Sequence, residues 1–339
     1  MNETKVLIIG PSWVGDMVMA QVLFKLLKQS NPQLQIDVLA PNWSLPVLQR
    51  MPEINQAIPL PIQHGEFGLL KRIKIGRELR SQNYQQAIVL ANSWKSALIP
   101  WVAKIPLRTG WLGEMRWGLL NDVRYLNKKK LPKMVQRYAA LGLPSGAVIP
   151  EELPVPKLDA PAVSVTSVLH KFAIDSAQPI LALCPGAAYG SAKRWPEEYF
   201  AKIAQQRINA GWQVWLFGSQ QDNIVIEKIR SQVNGETRSF AGKIDLMETI
   251  DLLSTVNAVV TNDSGLLHIA ASLNKPLVAI YGSTSAQFTP PLGKKSKIVQ
   301  EQLSCRPCFK RECPLRHLNC MYLIKPERVL AAIDELEEA

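Results

Sequence analysis

Hydrophobic positions divide the chain into two successive runs of short strands that alternate with helices. In the first run, apolar segments predict strands at 6–9, 36–40 and 86–91, and apolar residues recur at helical spacing from Met19 to Leu27. In the second run, the pattern predicts strands at 180–184, 213–217, 258–261 and 277–281 and helices at 224–233, 246–253 and 326–338. Short buried strands separated by helices are typical of parallel βαβ units.

A proline-rich segment lies between the two runs. It shows neither helical nor strand periodicity and contains Pro144, Pro150, Pro154, Pro156 and Pro161, so we interpret it as a linker. The sequence therefore predicts an α/β protein of two Rossmann-like, doubly wound domains that face each other across a cleft. The expected boundaries are 1–158 and 159–325, followed by a C-terminal helix at 326–339. The ligand is expected at the carboxyl ends of the strands.

The composition is that of a soluble globular protein, with 47% hydrophobic residues. The apolar segment at 6–9 is too short for the hydrophobic region of a signal peptide. No apolar run in the sequence approaches the roughly 18 residues of a membrane-spanning helix. We therefore expect a cytoplasmic protein whose cysteines are reduced.

Positive charge is concentrated in the first half of the chain. The formal net charge is +11. Residues 1–158 contain 20 Lys and Arg against 10 Asp and Glu, a net +10, whereas residues 159–339 contain 19 against 18, a net +1. Tryptophans lie among the basic residues between positions 94 and 124. This excess could serve solubility alone, or the first half could face nucleic acid, an anionic membrane surface or an acidic substrate.

The turn after the first predicted strand has the glycine spacing of a phosphate-binding loop but lacks its cation. Gly10 and Gly15 fit G-x-x-x-x-G, yet Asp16 and Met17 occupy the positions where such a loop has Lys and Ser or Thr. A carboxylate repels a polyphosphate, which argues against a nucleoside triphosphate site here. A single Asp at the end of a buried strand suits a general base, and we predict that role for Asp16.

Two segments of the second half have features of a diphosphate site. Small residues follow the strand at 180–184 and lead to Lys193, so that backbone amides and an ammonium group could meet phosphate oxygens. The segment 261–268 follows another strand and opens an apolar helix, whose first amides, at Ser264 and Gly265, could bind an anion. His268 lies one helical turn after Ser264 and is expected on the same face.

Other candidate chemistries have weaker support. The chain has no D-x-D pair, no H-E-x-x-H and no G-x-G-x-x-G after its first strand. A carboxylate-held metal and a dinucleotide dehydrogenase are therefore not supported. The spacing C-x2-C-x4-C-x6-C could bind zinc or form a redox cluster, but reduced structural thiols without metal are favoured for Cys305, Cys308, Cys313 and Cys320.

Seven separated motifs resemble the bacterial ADP-heptose–lipopolysaccharide heptosyltransferases, glycosyltransferase family nine. They run through nearly the whole chain: KVLIIGPSWVGDMVMAQ, ANSWKSALIP, RTGWLGEMRWGLLND, CPGAAYGSAKRWP, TNDSGLLHIAA, VAIYGSTS and CRPCFKRECP. The resemblance implies a GT-B fold in which the first domain binds the acceptor and the second binds the nucleotide sugar. It also implies inverting transfer of L-glycero-D-manno-heptose from ADP-heptose to the first heptose of the lipopolysaccharide inner core.

The resemblance also implies roles for individual residues. Asp16 matches the catalytic base, and Lys193 matches the lysine that meets the charge of the leaving diphosphate. The sugar-donor site would comprise Ala187, Ala188, Lys193, Gln220, Asp222, Ile244, Asp263, Ser264, Gly265 and His268. Within it, Gln220 or Asp222 would accept from the ribose hydroxyls and Ile244 would lie against adenine. The acceptor site would comprise Ser12, Trp13, Lys95, Arg108 and Arg116. Relatives sometimes carry hydroxyl residues in the loop of Ala187 and Ala188, where this chain offers backbone amides alone.

The expected partners follow from the same resemblance. They are ADP-heptose and a heptosyl-Kdo2-lipid A type acceptor at the cytoplasmic face of the inner membrane, with no required cofactor or metal and no nucleic acid. The protein is expected to be a monomer. Two other functions remain open from the sequence: a sugar-nucleotide epimerase, and a nucleic-acid-binding protein that uses the basic first half.

Overall fold

A computed structural model describes residues 4–62, 66–174 and 177–338. The chain forms two compact units, residues 1–158 and 159–339. Each unit contains a six-stranded sheet in which every strand pair is parallel.

In the first unit the sheet has the order β3-β2-β1-β4-β5-β6. Its strands are β1 (Lys5–Ile9), β2 (Gln35–Pro41), β3 (Gln56–Leu60), β4 (Gln86–Val89), β5 (Leu107–Trp111) and β6 (Asp122–Arg124). Its helices are α1 (Val14–Ser30), α2 (Leu45–Leu48), α3 (Leu69–Glu78), α4 (Trp94–Val102) and α5 (Met134–Gly142). Helices α1 and α5 pack together, as do α3 and α4.

In the second unit the sheet has the order β12-β11-β10-β7-β8-β9. Its strands are β7 (Ile180–Cys184), β8 (Gln213–Leu216), β9 (Thr237–Ser239), β10 (Ala258–Asn262), β11 (Leu277–Tyr281) and β12 (Ser296–Gln300). Its helices are α6 (Ala162–Lys171), α7 (Glu197–Asn209), α8 (Asn223–Arg230), α9 (Leu246–Thr255), α10 (Gly265–Ser272), α11 (Asn319–Tyr322) and α12 (Pro326–Glu337).

Both sheets have the same connectivity when the strands of each unit are counted from its start. The first strand lies beside the fourth at the centre, as β1 beside β4 and β7 beside β10. Successive strands are added on one side of the first strand up to the third and on its other side from the fourth onward. Where the strand order reverses in this way, between the first and fourth strands, a crevice opens at the carboxyl ends of the strands. The loops after β1, β4, β7 and β10 therefore carry the candidate sites.

The cores explain why these strands occupy the centres of the sheets. Helices cover both faces of a doubly wound sheet, so its central strands are apolar without alternation. Every residue of β7, β10 and β11 is buried. Trp195 packs edge-on against Phe200, with ring centroids 4.9 Å apart, and donates from Nε1 to the Ile324 carbonyl at 2.8 Å. This bond joins the chain before α12 to the same core.

The α/β, doubly wound fold class predicted from the sequence is confirmed. The predicted bounds of β7 and β11 coincide with the observed ones, whereas β4 ends two residues before its predicted end and α8 three residues before. No regular element lies between α5 and α6 in the described chain. The C-terminal helix ends at Glu337, and Ala339 lies outside the described residues. Across the described residues, each helix is too short or too polar to cross a bilayer.

Candidate functional site

The turn after β1 positions Asp16 in the first turn of α1. Gly10 donates its amide to the Leu39 carbonyl at 2.9 Å, and a Cβ on Gly10 would lie 2.7 Å from Cε of Met17. Helix α1 begins at Val14, which places the half-buried Asp16 near the positive end of the helix dipole, where acidic side chains are favoured. A side chain at position 10 would therefore displace the end of the Met17 side chain, next to Asp16.

Exposed aromatic side chains follow four strands of the first sheet. Trp13 follows β1 and is 43% exposed, and Trp43 follows β2 and is 42% exposed. Trp43 donates from Nε1 to the Ser12 carbonyl at 2.8 Å, which fixes it to the turn that carries Asp16. Phe67 and Trp94, after β3 and β4, have ring centroids 5.2 Å apart. Because parallel strands share their carboxyl edge, these rings line the same edge as Asp16.

The structure does not support the expectation that Arg116 is an exposed acceptor contact. Its side chain is only 1% exposed, and its guanidinium donates to the Ala91 carbonyl at 2.7 Å, to Oδ1 of Asn92 at 3.3 Å and to the Trp111 carbonyl. Oxygen atoms of residues that follow β4, and the carbonyl of the last residue of β5, therefore accept from its two terminal nitrogens. Arg116 holds two loops in place beneath the edge that Asp16 occupies.

Arg108 also lies elsewhere than the acceptor assignment requires. It is the second residue of β5 and so belongs to the amino edge of the sheet, opposite the edge of Asp16. It donates to the carbonyls of Leu119 and Ile105 at 2.7 and 2.6 Å. Lys95, half-buried in the first turn of α4, lies at the carboxyl edge as expected.

In the second unit, Lys193 and Asp263 form an ion pair between the loops after β7 and β10. Nζ of Lys193 lies 2.6 Å from Oδ2 of Asp263 and 3.3 Å from the Asp263 carbonyl oxygen. Oγ1 of Thr284, in the turn after β11, donates to the same Oδ2 at 2.6 Å. An ammonium group has three N–H donors, so one donor of Lys193 remains for a ligand oxygen.

Asn262 connects the same loops beneath this ion pair. Its Nδ2 donates to the Pro185 carbonyl at 2.7 Å, and its Oδ1 accepts from the Trp195 amide at 3.1 Å. Both ends of the Lys193 loop are thereby bonded to the last residue of β10. Sequence reasoning missed Asn262 and Thr284, although Asn262 directly follows one predicted strand and Thr284 lies three residues after another.

Helix α10 begins beside the ion pair and has open amides at its start. Ser264 precedes it, makes no side-chain capping bond, and is half-buried like Gly265. Ala188 is exposed on the loop after β7, whereas Ala187 is buried. The backbone groups of Ser264 and Gly265 and the ammonium of Lys193 form a set of donors suited to an anion.

His268 is buried on the first turns of α10. Burial lowers its pKa to about 4, with a raising effect from the Asp263 carboxylate and a lowering one from the Lys193 ammonium. The imidazole is therefore neutral at neutral pH. A neutral ring can take part in hydrogen bonding here without adding charge to the set of donors.

Asp222 and Gln220 differ in accessibility. Oδ2 of Asp222 accepts from the amide and hydroxyl of Ser219 at 2.9 and 2.7 Å. A Cβ on Gly186 would collide with this carboxylate, so the side chain is packed against the Gly186 backbone. Asp222 is therefore buried. Gln220 is exposed and Ile244 is half-buried. Of the two residues predicted to bind a ribose, Gln220 is the accessible one.

Residues 303–318, between β12 and α11, pack against the Lys193 loop. The Ala192 amide donates to the Arg311 carbonyl at 2.9 Å, and the Tyr189 hydroxyl donates to the Phe309 carbonyl at 2.7 Å. A Cβ on Gly190 would lie 2.3 Å from the Arg311 carbonyl oxygen, so only glycine permits this contact. The segment therefore supports the loop that carries Lys193.

The four clustered cysteines lie in this segment and in α11. All have free thiols; Cys320 is buried and the other three are half-buried, at positions 305, 308 and 313. Among the residues that the structure describes, no group of three or more His, Cys, Asp or Glu side chains is arranged to hold a metal ion. Cys184 lies in β7, where burial raises the pKa of its thiol.

Similarity to known proteins covers both units. Lipopolysaccharide heptosyltransferase 2 of Escherichia coli is 44% identical over 341 aligned positions, which cover 98% of each chain. Lipooligosaccharide heptosyltransferase 2 of Haemophilus influenzae is 50% identical over 307 positions, which cover 87% of this chain and 88% of that one. The solved structure of E. coli ADP-heptose lps heptosyltransferase II has a TM-score of 0.89 and 43% identity, and the match covers 99% of this chain and 100% of that one.

A family description also fits the chain. Residues 72–319 match glycosyltransferase family 9 (heptosyltransferase). The match begins within α3 and ends at the start of α11, so it includes the ion pair and the loops around it. The protein belongs to glycosyltransferase family 9, the heptosyltransferases.

Proposed function

We propose that the protein transfers L-glycero-D-manno-heptose from ADP-heptose to the first heptose of the lipopolysaccharide inner core. The observation that carries the proposal is the Lys193–Asp263 ion pair beside the open amides of α10. The printed names of the relatives, which are heptosyltransferases acting in lipopolysaccharide or lipooligosaccharide synthesis, support the substrate class.

In this proposal Asp16 is the general base. It removes the proton from an acceptor hydroxyl while that oxygen attacks the anomeric carbon of the donor heptose. The bond from the anomeric carbon to the diphosphate oxygen breaks, its electron pair leaves with ADP, and the configuration inverts. General-base assistance contributes roughly 10²–10⁴ in rate.

Lys193 and the α10 amides meet the charge that develops on ADP. The remaining N–H of Lys193 and the amides of Ser264 and Gly265 donate to diphosphate oxygens, whose charge increases as the glycosidic bond breaks. Ala187 and Ala188 contribute backbone groups, Gln220 binds the ribose, Ile244 packs against adenine, and His268 borders the diphosphate as a neutral ring. No resident cofactor enters this scheme.

The acceptor belongs to the first unit in this proposal. Ser12, Trp13 and Lys95 contact a heptosyl-Kdo2-lipid A type acceptor. Trp43 is a further contact to this acceptor, since flat aromatic rings pack well against the apolar faces of sugars. The acceptor lies at the cytoplasmic face of the inner membrane, and the enzyme works there as a monomer.

The test of the proposed base is Asp16→Asn with ADP-heptose and a heptosyl-Kdo2-lipid A acceptor. We expect turnover to fall by roughly 10²–10⁴, with ADP affinity by calorimetry unchanged. Glu78→Gln, which removes a carboxylate from the exposed side of α3, is the matched control and should retain activity. Near-normal turnover by Asp16→Asn would contradict the assignment.

Two outcomes with the unaltered protein would contradict the proposed reaction itself. Conversion of the nucleotide sugar to an isomer without an acceptor would indicate an epimerase. Salt-sensitive binding of an oligonucleotide, unaffected by ADP, together with no heptosyl transfer, would indicate a nucleic-acid-binding protein.

A further inference from the structure

A groove runs along the outer surface of α3 and α4, away from Asp16 and its turn. Its volume is about 710 Å³, and its apolar lining comes from Leu69, Ile73, Leu98, Trp101 and Val102. The two helices approach closely at Gly76, where a Cβ would lie 2.7 Å from Cβ of Val102. The groove is therefore built by the helix crossing and does not depend on a single loop.

Four cations border this apolar floor: Arg77, Arg80, Lys104 and Arg108. Residues 66–111 contain eight Lys and Arg but only two carboxylates. Glu66 lies 2.7 Å from Lys71, and Glu78 lies 4.0 Å from Lys74. Both carboxylates thus lie beside lysines that do not line the groove.

The two helices that form the groove also carry exposed apolar side chains. Leu70 is 82% exposed and Trp101 is 49% exposed. Leu69 and Ile73 are one turn apart on α3, whose sequence LLKRIKIGRE combines aliphatic residues with Lys and Arg. Exposed aliphatic and Trp side chains next to cations are typical of surfaces that insert shallowly into an anionic membrane.

We propose that this groove docks the protein on a bilayer of anionic phospholipid. The inference rests on the proposed work of the enzyme at a membrane and names the surface that makes the contact. Leu69, Leu70 and Trp101 enter the interfacial layer, while the four cations contact headgroup phosphates. The aliphatic floor favours lipid over single-stranded nucleic acid, whose bases stack on several aromatic rings. Among the residues that the structure describes, the groove lining contains one aromatic ring, that of Trp101.

The test is co-sedimentation of the full chain with vesicles that contain neither ADP-heptose nor an acceptor. We expect binding to vesicles of 30% phosphatidylglycerol in phosphatidylcholine and weak binding to phosphatidylcholine alone. Arg77→Glu/Lys104→Glu should weaken binding at least about thirtyfold, because each lost cation near an anionic surface weakens partitioning several-fold. Trp101→Ala should weaken binding at unchanged charge.

Two control variants separate this surface from general electrostatics. Lys128→Glu/Lys129→Glu makes the same change of net charge on an exposed turn. Trp117→Ala removes a Trp that is 60% exposed, lies between β5 and β6 and does not line the groove. Both should bind vesicles nearly as well as the unaltered chain. Equal losses in the groove and control variants, or no binding to anionic vesicles, would overturn the proposal, as would tighter binding to an oligonucleotide than to vesicles.

Heptosyl-transfer assays separate membrane docking at the groove from the proposed catalytic function. Arg77→Glu/Lys104→Glu should keep its turnover on a deacylated, water-soluble acceptor and lose it on an acceptor embedded in anionic vesicles. If the unaltered protein binds vesicles but transfers no heptose, the proposed function fails while the docking surface holds. If transfer proceeds and the groove variant uses both acceptors equally, the docking surface fails alone.

Discussion

The two sheets have the same strand order but opposite chemistry at the same topological position. After its first strand, the first unit turns at once into α1 and presents Asp16; the second continues through a longer loop to Lys193. After the fourth strand, the first unit offers carbonyls to the buried Arg116, and the second offers Asp263 to Lys193. The fold therefore determines where a ligand binds, and the two loops at that point determine what it is.

After Asp16→Asn, the largest expected effect tests the cation of the second unit. Lys193→Ala should lower turnover by about 10²–10³, the usual loss when one donor to a developing anion is removed. It should also weaken ADP binding, unlike Asp16→Asn. A steady-state assay with ADP calorimetry measures both. Arg194→Ala, which removes the neighbouring cation, is the control. If Lys193→Ala binds ADP as tightly as the unaltered protein, the diphosphate binds elsewhere.

Acidification should destabilise the second unit through His268. Because its folded pKa of about 4 lies below the ordinary 6.5, the unfolded chain binds the proton more readily, and stability falls as pH drops from about 6.5 to 4. The full loss is about 3 kcal/mol. In urea unfolding, His268→Gln should lose less stability on acidification than the unaltered protein. His170→Gln, which changes an exposed histidine, should lose as much stability as the unaltered protein. An identical pH profile for His268→Gln would refute the assignment.

A smaller effect is expected at Thr284, which helps to hold Asp263. Thr284→Val leaves a buried carboxylate oxygen without one of its donors and should lower the free energy of unfolding by about 1–3 kcal/mol. Thr255→Val removes a bond from Oγ1 to the Leu252 carbonyl, away from the ion pair, and controls for the loss of a hydroxyl. ADP affinity should fall in Thr284→Val but not in Thr255→Val. If both variants bind ADP equally well, Thr284 does not contribute to the ADP site.

The smallest expected effect concerns Trp43 in the first unit. Trp43→Ala should raise the acceptor KM several-fold, since an aromatic contact contributes about 1 kcal/mol, and should leave ADP affinity unchanged. Trp43→Phe keeps a ring but loses the bond to Ser12 and should recover part of the affinity. If Trp43→Ala instead raises the KM for ADP-heptose, Trp43 contacts the donor and not the acceptor.

The sequence predicts the centres of both sheets because central strands are apolar along their whole length. Edge strands escape this rule: β3 contains Pro59, and most residues of β12 are partly exposed. Helix α3 was also missed as an element, because its cations mask the spacing of its few apolar residues.

The candidate site could be predicted only in parts. Lys193 was named from its loop and Asp263 from the family resemblance, but their ion pair depends on β7 lying beside β10, which sequence spacing does not reveal. Arg116, expected at the acceptor, is buried, and its guanidinium donates to carbonyls of the surrounding loops, a contact that no local sequence pattern reveals. Trp43 went unnoticed because a lone Trp after a strand has no recognisable pattern.

Each sheet is built from one continuous stretch of chain, and this has a consequence during synthesis. The strands of the first unit all lie between Lys5 and Arg124, and α5 completes its packing on α1 by Gly142. The first unit can therefore close its sheet on the ribosome before any strand of the second has emerged. Neither unit exposes an unfinished sheet that waits for a strand from the other, which reduces the chance of mispairing in a chain with two sheets of identical order.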